Sequence, residues 1–541
     1  MKDISSTGSF VDFTLENFIY VDKTVYIPQL VKLKRVFISR PRRFGKSLTL
    51  DTIATLFETG VEPYFKGTWI YDKWTEPTYP VLRLNFLNFD KNSLEKFNNK
   101  LNSKITEFAE LNHVTTFKEK EEAEDSIDHL LEQLRLENRQ IVILIDEYDC
   151  QMTANINNET LYKQFQEKIK SFYANIKDKF AIKFLGITGV TRLKDVAIFS
   201  VGSDINDITN DSAYSQMIGF TRDEIKKYYI DYLKLASSYE NNCSVGDVTD
   251  TQLESMLDMM AQNYDGYCFD EDYEKKVFST WSVNKFFQTM IEKKKVQFGE
   301  YWYDNGGLPS ILVNYLKTHE LNIFEYLDKD KFLKVSSDDF KNPTALTTIN
   351  QNVLMCQTGY LTLRSDLNKT STVALGIPNG EIYKALNRLL ANNIFKGNTD
   401  ITDDYGRSLL EVGTVDDIIN LFNSALNSVS YDNYPIVSES SVQNMLKLYL
   451  LGAHQEVLSE VHEAKGRADL VVNTDNRRIV FEFKYAKNEA EAKSKLSEAV
   501  EQIKTRDYGN ILPKKNELIR IAAVFNADPK VRAFTENQIV P

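Results

Sequence analysis

The stretch GRADLVVNTDNRRIVFEFKYA, Gly466 to Ala486, holds two apolar runs, ADLVV and IVFEFK, that carry Asp469, Glu482 and Lys484 where a buried strand carries no charge. Both runs are rich in β-branched and aromatic residues and flank the turn-prone NTDNR, which predicts an antiparallel hairpin. With a two-residue turn at Asp475 and Asn476, paired residue numbers sum to 951, and Asp469 faces Glu482. Alternation puts Glu482 and Lys484 on one face, with Ile479, Phe481 and Phe483 on the other. Opposed Cβ atoms lie about 4.5–5.5 Å apart, and like charges there destabilise a sheet. At an effective dielectric of about 20, two such carboxylates repel by roughly 3–4 kcal/mol. A cation must compensate. Lys484 can do so alone, as one ion pair on a charged hairpin edge. A hard divalent ion, Mg²⁺ or Mn²⁺, can do so with oxygen ligands from Asp469 and Glu482, which frees the lysine to orient an attacking water.

A second constellation lies in RVFISRPRRFGKSLTLDTIATLFETG, Arg35 to Gly60. Val36 to Ser39 reads as a short buried strand, and Leu50, Ile53, Ala54 and Phe57 form one face of a following helix. A loop between such elements suits phosphate: backbone N–H groups and the helix N-terminus face the anion, a lysine reaches the β/γ-phosphates and a hydroxyl holds Mg²⁺. Gly45, Lys46 and Ser47 fill those places, and Arg42 and Arg43 add positive charge. In the motif G-x-x-x-x-G-K-[ST], Arg40 stands where the first glycine belongs, so the loop's shape must differ; a basic surface loop opening a helix is the alternative.

A hundred residues on, QIVILIDEYD supplies the acid such a loop needs. Ile141 to Ile145 is a continuous apolar run, as in a parallel strand buried on both faces, and it delivers Asp146 and Glu147 at its carboxyl end, where open α/β sheets place ligands. Asp146 is read as the Mg²⁺-side carboxylate and Glu147 as the group polarising the attacking water; a buried strand ending in an acidic turn, with Asp149, is the alternative. PVLRLNF (Pro80 to Phe86) and AIKFLGITGV (Ala181 to Val190) add strands to a doubly wound parallel sheet.

The residues also resemble known families. Asp469, then Glu482-x-Lys484 on a strand, looks like the core of the PD-(D/E)XK nuclease superfamily, with Ala468 where the family name has proline. The resemblance implies two metal-holding acids, Asp469 and Glu482, and a lysine that assists phosphodiester hydrolysis. Gln502 and Tyr508, after the helical pattern SKLSEAVEQIK, are similar to a glutamine and tyrosine that some members carry behind the catalytic strand, and SSVQNMLKLYLLGA matches the leading helix. Glu460 is a further candidate acid. RPRRFGKS, LIDEYD, GITGVTR, IGFTRDEI, YDGYCFD, YWYDNGGLP, QTGYLTL and IPNGEI follow the order of a bacterial-type family that joins an AAA-ATPase-like domain to such a nuclease-like domain. Thr188 is then placed like the polar sensor of an AAA-type ATPase, and Arg192 reads either as an arginine finger or as a solvated loop arginine. The middle motifs, aromatic and rich in Gly and Pro, are assigned to turns and packing.

Composition bounds the rest. The 541 residues, 42% hydrophobic, suit three or four domains, and no apolar run approaches the roughly 18 residues of a membrane span. The N-terminus lacks a signal-peptide pattern, and the four cysteines and five histidines are scattered, which predicts a reducing cytoplasm without zinc or disulfide framework. Net charge is −12, against non-specific nucleic-acid binding by the whole chain, but residues 436–541 balance 16 Lys/Arg with 15 Asp/Glu. The expected organisation is an N-terminal P-loop, AAA-like α/β domain (1–218), a helical lid (219–333), a mixed α/β region (334–435) and a C-terminal restriction-endonuclease-like α/β domain (436–541). The expected function is a nucleotide-regulated, Mg²⁺-dependent nuclease using ATP and acting on nucleic acid, DNA foremost, as a homo-oligomer without a membrane. The alternative is a nucleotide-switched binding module with an inactive nuclease fold.

Overall fold

Ile141 to Ile145 are buried at every position, and a strand covered on both faces can only stand in the middle of a sheet. In the computed structural model, which describes residues 2–176, 179–193, 205–302, 310–316, 323–343, 345–395, 405–453, 455–463, 466–511 and 514–541, that run is β3 (Ile141–Asp146). It joins β1 (Arg35–Ser39), β2 (Val81–Asn85), β4 (Ile182–Gly189) and β5 (Asn206–Asp207) in a parallel sheet of order β2-β3-β4-β1-β5. The expected α/β fold is present. Because β4 separates β1 from β3, Thr188 near its end stands between the phosphate loop and the acids: Ile38 pairs with Thr188, and Ile145 with Ile187. The helix Lys46–Thr59 follows β1 and buries Leu50, Ile53, Ala54 and Phe57 as the periodicity marked, with Leu56, Lys46, Thr52 and Thr55 in addition.

The chain divides into two compact units, Met1–Leu321 with Asp330–Ile382, and Asn322–Lys329 with Tyr383–Pro541. These cut the sequence elsewhere than the bounds 218, 333 and 435. Within the first unit, the helices Arg222–Tyr228, Ile230–Asn241, Asp250–Tyr264 and Thr280–Lys293 share a core that includes Tyr229, Leu233, Met256, Tyr264 and Phe287. The strand pair expected around GYLTLR and TVALGIP is β7 (Thr362–Leu363) with β8 (Thr372–Gly376); β6 (Leu333–Ser336) completes an antiparallel sheet of order β6-β8-β7.

The second unit is built on β9 (Glu456–Glu463), β10 (Gly466–Asn473), β11 (Arg477–Ala486), β12 (Glu517–Asn526) and β13 (Ala533–Ile539), in the order β13-β12-β11-β10-β9. β11 and β12 are parallel and every other neighbour is antiparallel. A parallel pair needs a crossover, supplied here by the helix Glu489–Arg506, whose Ala499, Val500 and Ile503 bury against Val471 and Val480. On the other face, Phe422 of the helix Val415–Asn427 meets Phe481 with ring centroids 5.3 Å apart. Sequence reading found β10, β11 and both flanking helices but not β9, β12 or β13. Among the described residues, no helix is long and apolar enough to cross a membrane.

Candidate functional site

The hairpin has the expected register. Leu470 pairs with Phe481, Val471 with Val480, Val472 with Ile479 and Asn473 with Arg478, and Thr474 N–H donates to Arg477 O at 2.9 Å across the turn. Asp469, next in register, accepts from Phe483 N–H at 2.8 Å. Glu482 is fully buried, and one of its oxygens, Oε1, accepts from Lys484 Nζ at 2.8 Å. The other, Oε2, is buried and has no hydrogen-bond partner among the described residues. Lys484 Nζ also donates to Phe483 O at 3.1 Å and stands 3.4 Å from Glu439 at the start of the helix Glu439–Gly452. Gln443 on the same helix donates to Asp469 O.

Electrostatics explains the pair. Burial raises the Glu482 carboxyl to about 7, Asp469 pushes the same way, and Lys484 opposes them. Burial pulls the Lys484 ammonium down, but the hydrogen bond and charge of Glu482, with Glu439 and Asp469, carry it above its ordinary value. The two shifts agree once the charges are counted: one ammonium faces three carboxylates, so an excess of negative charge remains. Among the described residues, no group of three or more His, Cys, Asp or Glu has the arrangement of a metal cage. Mg²⁺ does not require one, because it is commonly held by one or two carboxylates and keeps several waters. The orphaned Glu482 oxygen beside Asp469 fits that demand.

Gln502 lies elsewhere in the network: its amide stands 3.5 Å from the Tyr508 hydroxyl, and none of its hydrogen bonds among the described residues reaches Asp469 or Glu482. The side chain of Glu460 lies outside the described residues. Glu439 and Arg506, both near the acids, went unnoticed in the sequence, since neither belongs to the strand pattern.

In the first unit, Asp146 is the hub. Its carboxylate accepts from Ser47 Oγ at 2.6 Å, Thr188 Oγ1 at 2.5 Å and Glu147 N–H at 3.0 Å. Glu147 takes a left-handed backbone, φ 54°, and its carboxylate stands 3.7 Å from Lys46 Nζ. Burial raises its pKa, with Lys46 opposing and Asp149 and Asp146 reinforcing. Gly189 is needed where it is: a Cβ there would stand 2.4 Å from the Tyr148 ring, and Tyr148 follows the two acids. Ser47 and Asp146 offer the oxygen donors Mg²⁺ takes with nucleotide phosphates.

The loop differs from a glycine-rich one in an identifiable way. Gly45 (φ 104°) and Arg43 (φ 67°) make its left-handed turns. Arg40, in the first glycine's place, is buried: it donates to Ser39 O at 2.9 Å and Thr209 O at 2.6 Å, and its guanidinium lies 4.2 Å over the Phe269 ring. Lys46 Nζ donates to Arg40 O and Pro41 O at 3.0 and 3.2 Å. The middle motifs form the loop's bed. Phe44 meets Tyr267 of YDGYCFD at 4.7 Å, Trp302 of YWYDNGGLP reaches Arg42 O at 3.4 Å, and a Cβ on Gly359 of QTGYLTL would stand 2.8 Å from Pro41. Their assignment to packing therefore needs one addition, namely that they pack beneath the phosphate loop.

A cavity of about 500 Å³ opens against this loop, within the range of small-molecule sites. Arg43, Lys46, Ser47 and Glu147 line it together with apolar Ile19, Val21, Ile218 and Phe220. Arg192, read as finger or solvated arginine, is partly exposed, and its guanidinium pairs with Asp207.

Residues 5–199 match the family model of a predicted AAA-ATPase, and residues 437–535 match that of the PD-(D/E)XK nuclease superfamily. Over 533 residues the chain is 26% identical to an uncharacterized protein in the vnfD 5′ region of Azotobacter chroococcum mcd 1, covering 95% of this chain and 94% of that one. Among solved structures it is similar to the Walker-type ATPase PABY2304 of Pyrococcus abyssi (10% identity, TM-score 0.34, 69% of this chain and 96% of that one). It is likewise similar to the Orc1 protein of Aeropyrum pernix in complex with DNA (10% identity, TM-score 0.27, 69% and 95%). The resemblances read from the motifs at the two ends of the chain thus both return as family matches.

Proposed function

We propose that the protein binds and hydrolyses ATP in its first unit and cleaves phosphodiester bonds of nucleic acid, DNA foremost, with its second. The observation that carries this reading is the buried Glu482 beside Asp469, paired to Lys484 through one oxygen and, among the described residues, without a partner at the other. A buried carboxylate oxygen without a protein partner is open to an ion or a water, and here it stands beside a second acid, Asp469, and a lysine.

Asp469 and Glu482 would hold Mg²⁺ or Mn²⁺, and Ser47 and Asp146 the Mg²⁺ of ATP. When bound, such an ion supplies Lewis-acid polarisation of the phosphoryl oxygens and a lowered water pKa. The chain does the rest. Lys484 orients the attacking water and meets negative charge that develops on the phosphate. Lys46 exchanges its contacts with Arg40 O and Pro41 O for nucleotide phosphate, Arg43 adds charge, Glu147 polarises the water and Thr188 senses the state of Asp146. Without a free arginine at Arg192, a second copy of the chain supplies the finger, which makes the working form an oligomer. An activity that depends on ATP suits the cytoplasm.

The deciding experiment is cleavage of circular DNA, linear DNA and RNA in Mg²⁺ or Mn²⁺, with and without ATP, by the native protein, Lys484→Ala and Lys46→Ala. Cutting that Lys484→Ala abolishes supports the reading, and the Lys46→Ala lane reports whether ATP gates it. No cutting of any substrate would leave a nucleotide-switched binding module, a reading that the altered loop with its engaged Lys46 favours.

A further inference from the structure

The crossover helix Glu489–Arg506 ends over the nuclease-type site, and its last residue is held in an unusual seat. Arg506 Nη1 donates to the Tyr508 hydroxyl at 2.8 Å, and Gln502 approaches the same hydroxyl at 3.5 Å. Tyr508 is itself fully buried, so its oxygen is a fixed post. The stem of Arg506 crosses Gly466, three residues before Asp469. A Cβ at Gly466 would stand 2.5 Å from Arg506 Cδ and 3.1–3.2 Å from Nη1 and Nε. A side chain at this position would push the Arg506 stem out of its present seat.

A helix-terminal cation that merely opposes the macrodipole needs a charge and nothing more. It needs neither a trough cut into the neighbouring strand nor a buried hydroxyl to aim it. Arg506 forms no ion pair with a carboxylate among the described residues, although Glu482 and Asp469, after the Tyr508 hydrogen bond, act on it electrostatically. The result is a planar fork anchored by one nitrogen, half-buried, with Nε and Nη2 making no hydrogen bond among the described residues. A guanidinium in that condition matches two oxygens of a phosphate better than any other side chain does.

We propose that Arg506, seated on Gly466 and anchored by Tyr508, binds a backbone phosphate of the nucleic acid beside Asp469 and Glu482. This rests on the nuclease reading and extends it. Gln502 then acts as a positioning residue through Tyr508, which accounts for its distance from the acids without removing it from the site.

The test is binding of a fluorescent DNA duplex to the full chain in EDTA, as a function of salt, for native protein, Arg506→Ala, Arg506→Lys and Tyr508→Phe, with cleavage followed in Mn²⁺. For each phosphate that a side chain no longer neutralises, the slope of log K against log salt falls by about 0.9. Arg506→Ala is therefore expected to weaken binding about tenfold or more at low salt and to reduce the slope by about one. Arg506→Lys is expected to keep the slope but recover only part of the affinity, and Tyr508→Phe to raise KM more than it lowers kcat. An unchanged slope in Arg506→Ala, with native cleavage intact, overturns the proposal and leaves the nuclease reading standing. Failure of the native protein to bind or cut any nucleic acid overturns both. A thermal unfolding midpoint within about 2 °C of native assures that Arg506→Ala reports on binding.

Discussion

Asp146 and Glu482 are both buried acids on central strands, and they differ in how far the protein satisfies them. Asp146 accepts from two hydroxyls and a backbone N–H. Among the described residues, Glu482 has one bond, from Lys484, and a second oxygen with none. An acid satisfied by its own chain costs nothing further in the absence of a ligand, so the first unit can stand loaded or empty. An acid left half-satisfied carries a desolvation cost of about 1–3 kcal/mol until a cation arrives. Under the proposed function, the second unit would gain more from its ion than the first.

The largest consequence is catalytic. Lys484→Ala and Glu482→Ala are each expected to lower DNA cleavage in Mn²⁺ by about 10²–10³-fold or more, as loss of one electrostatic partner at a reacting phosphate does. Residual rates within about threefold of native would place the reaction elsewhere and dissolve the comparison.

Stability should move in opposite directions at the two acids. Asp146→Ala strands the hydroxyls of Ser47 and Thr188 and is expected to destabilise the metal-free protein by about 1–3 kcal/mol. Glu482→Gln keeps an acceptor for Lys484 and removes a buried charge, and at pH 8 it is expected to stabilise the metal-free protein by up to about 3 kcal/mol. Calorimetry of the full chain reads both. Adding Mn²⁺ should raise the native midpoint and leave Glu482→Gln unmoved. If the two substitutions shift stability in the same direction, the acids are not the opposites described.

A smaller effect follows from pH. The Glu482 carboxyl is raised from its ordinary 4.5 to about 7, so the folded metal-free state favours the neutral acid. That contribution is complete below pH 4.5 and is lost as pH rises through 7. Glu381, fully enclosed and bonded by Ser282 Oγ and Trp302 N–H, is raised by burial from 4.5 to about 8 and carries the same sign in the first unit. Metal-free stability is therefore expected to fall between about pH 4.5 and 8, with the slope flattened in part by Glu482→Gln and in part by Glu381→Gln. If neither substitution alters the slope, these carboxyls are not the groups that titrate.

The same contrast governs what the sequence could show. The Asp469, Glu482 and Lys484 constellation was legible because register in a two-residue hairpin is arithmetic, and one short segment holds all three residues. The P-loop, β3 and Thr188 were legible because buried parallel strands write continuous apolar runs. Arg40 was not: a missing glycine shows only that the loop differs, and the burial of that arginine on Phe269 depends on residues some 170 to 230 positions away. The bed under the loop escaped for the same reason, since aromatic and glycine motifs carry no periodicity that says what they touch. β12 was missed although IAAVF is an apolar run, because nothing local names the strand it pairs with, and β13, AFTENQI, is too polar to mark itself as a strand. Arg506 and Gly466 become a pair only when the crossover helix is folded back over β10.

The smallest effect expected is at Arg192. A finger acting within its own chain would be worth about 10³–10⁵-fold in turnover. Here the guanidinium is held by Asp207 on β5, and Arg192 N–H and C=O are bonded to Gln357 at 3.2 and 3.1 Å. Those bonds fix Arg192 itself rather than aim its charge at phosphate. Arg192→Ala is therefore expected to change ATP turnover by about twofold at most, the scale of a partly exposed ion pair. Sedimentation in the presence of nucleotide supplies the other half of the test. Oligomers with turnover preserved in Arg192→Ala support an arginine from another copy, whereas a monomer that loses its turnover with Arg192 would show that Asp207 releases the side chain when ATP binds.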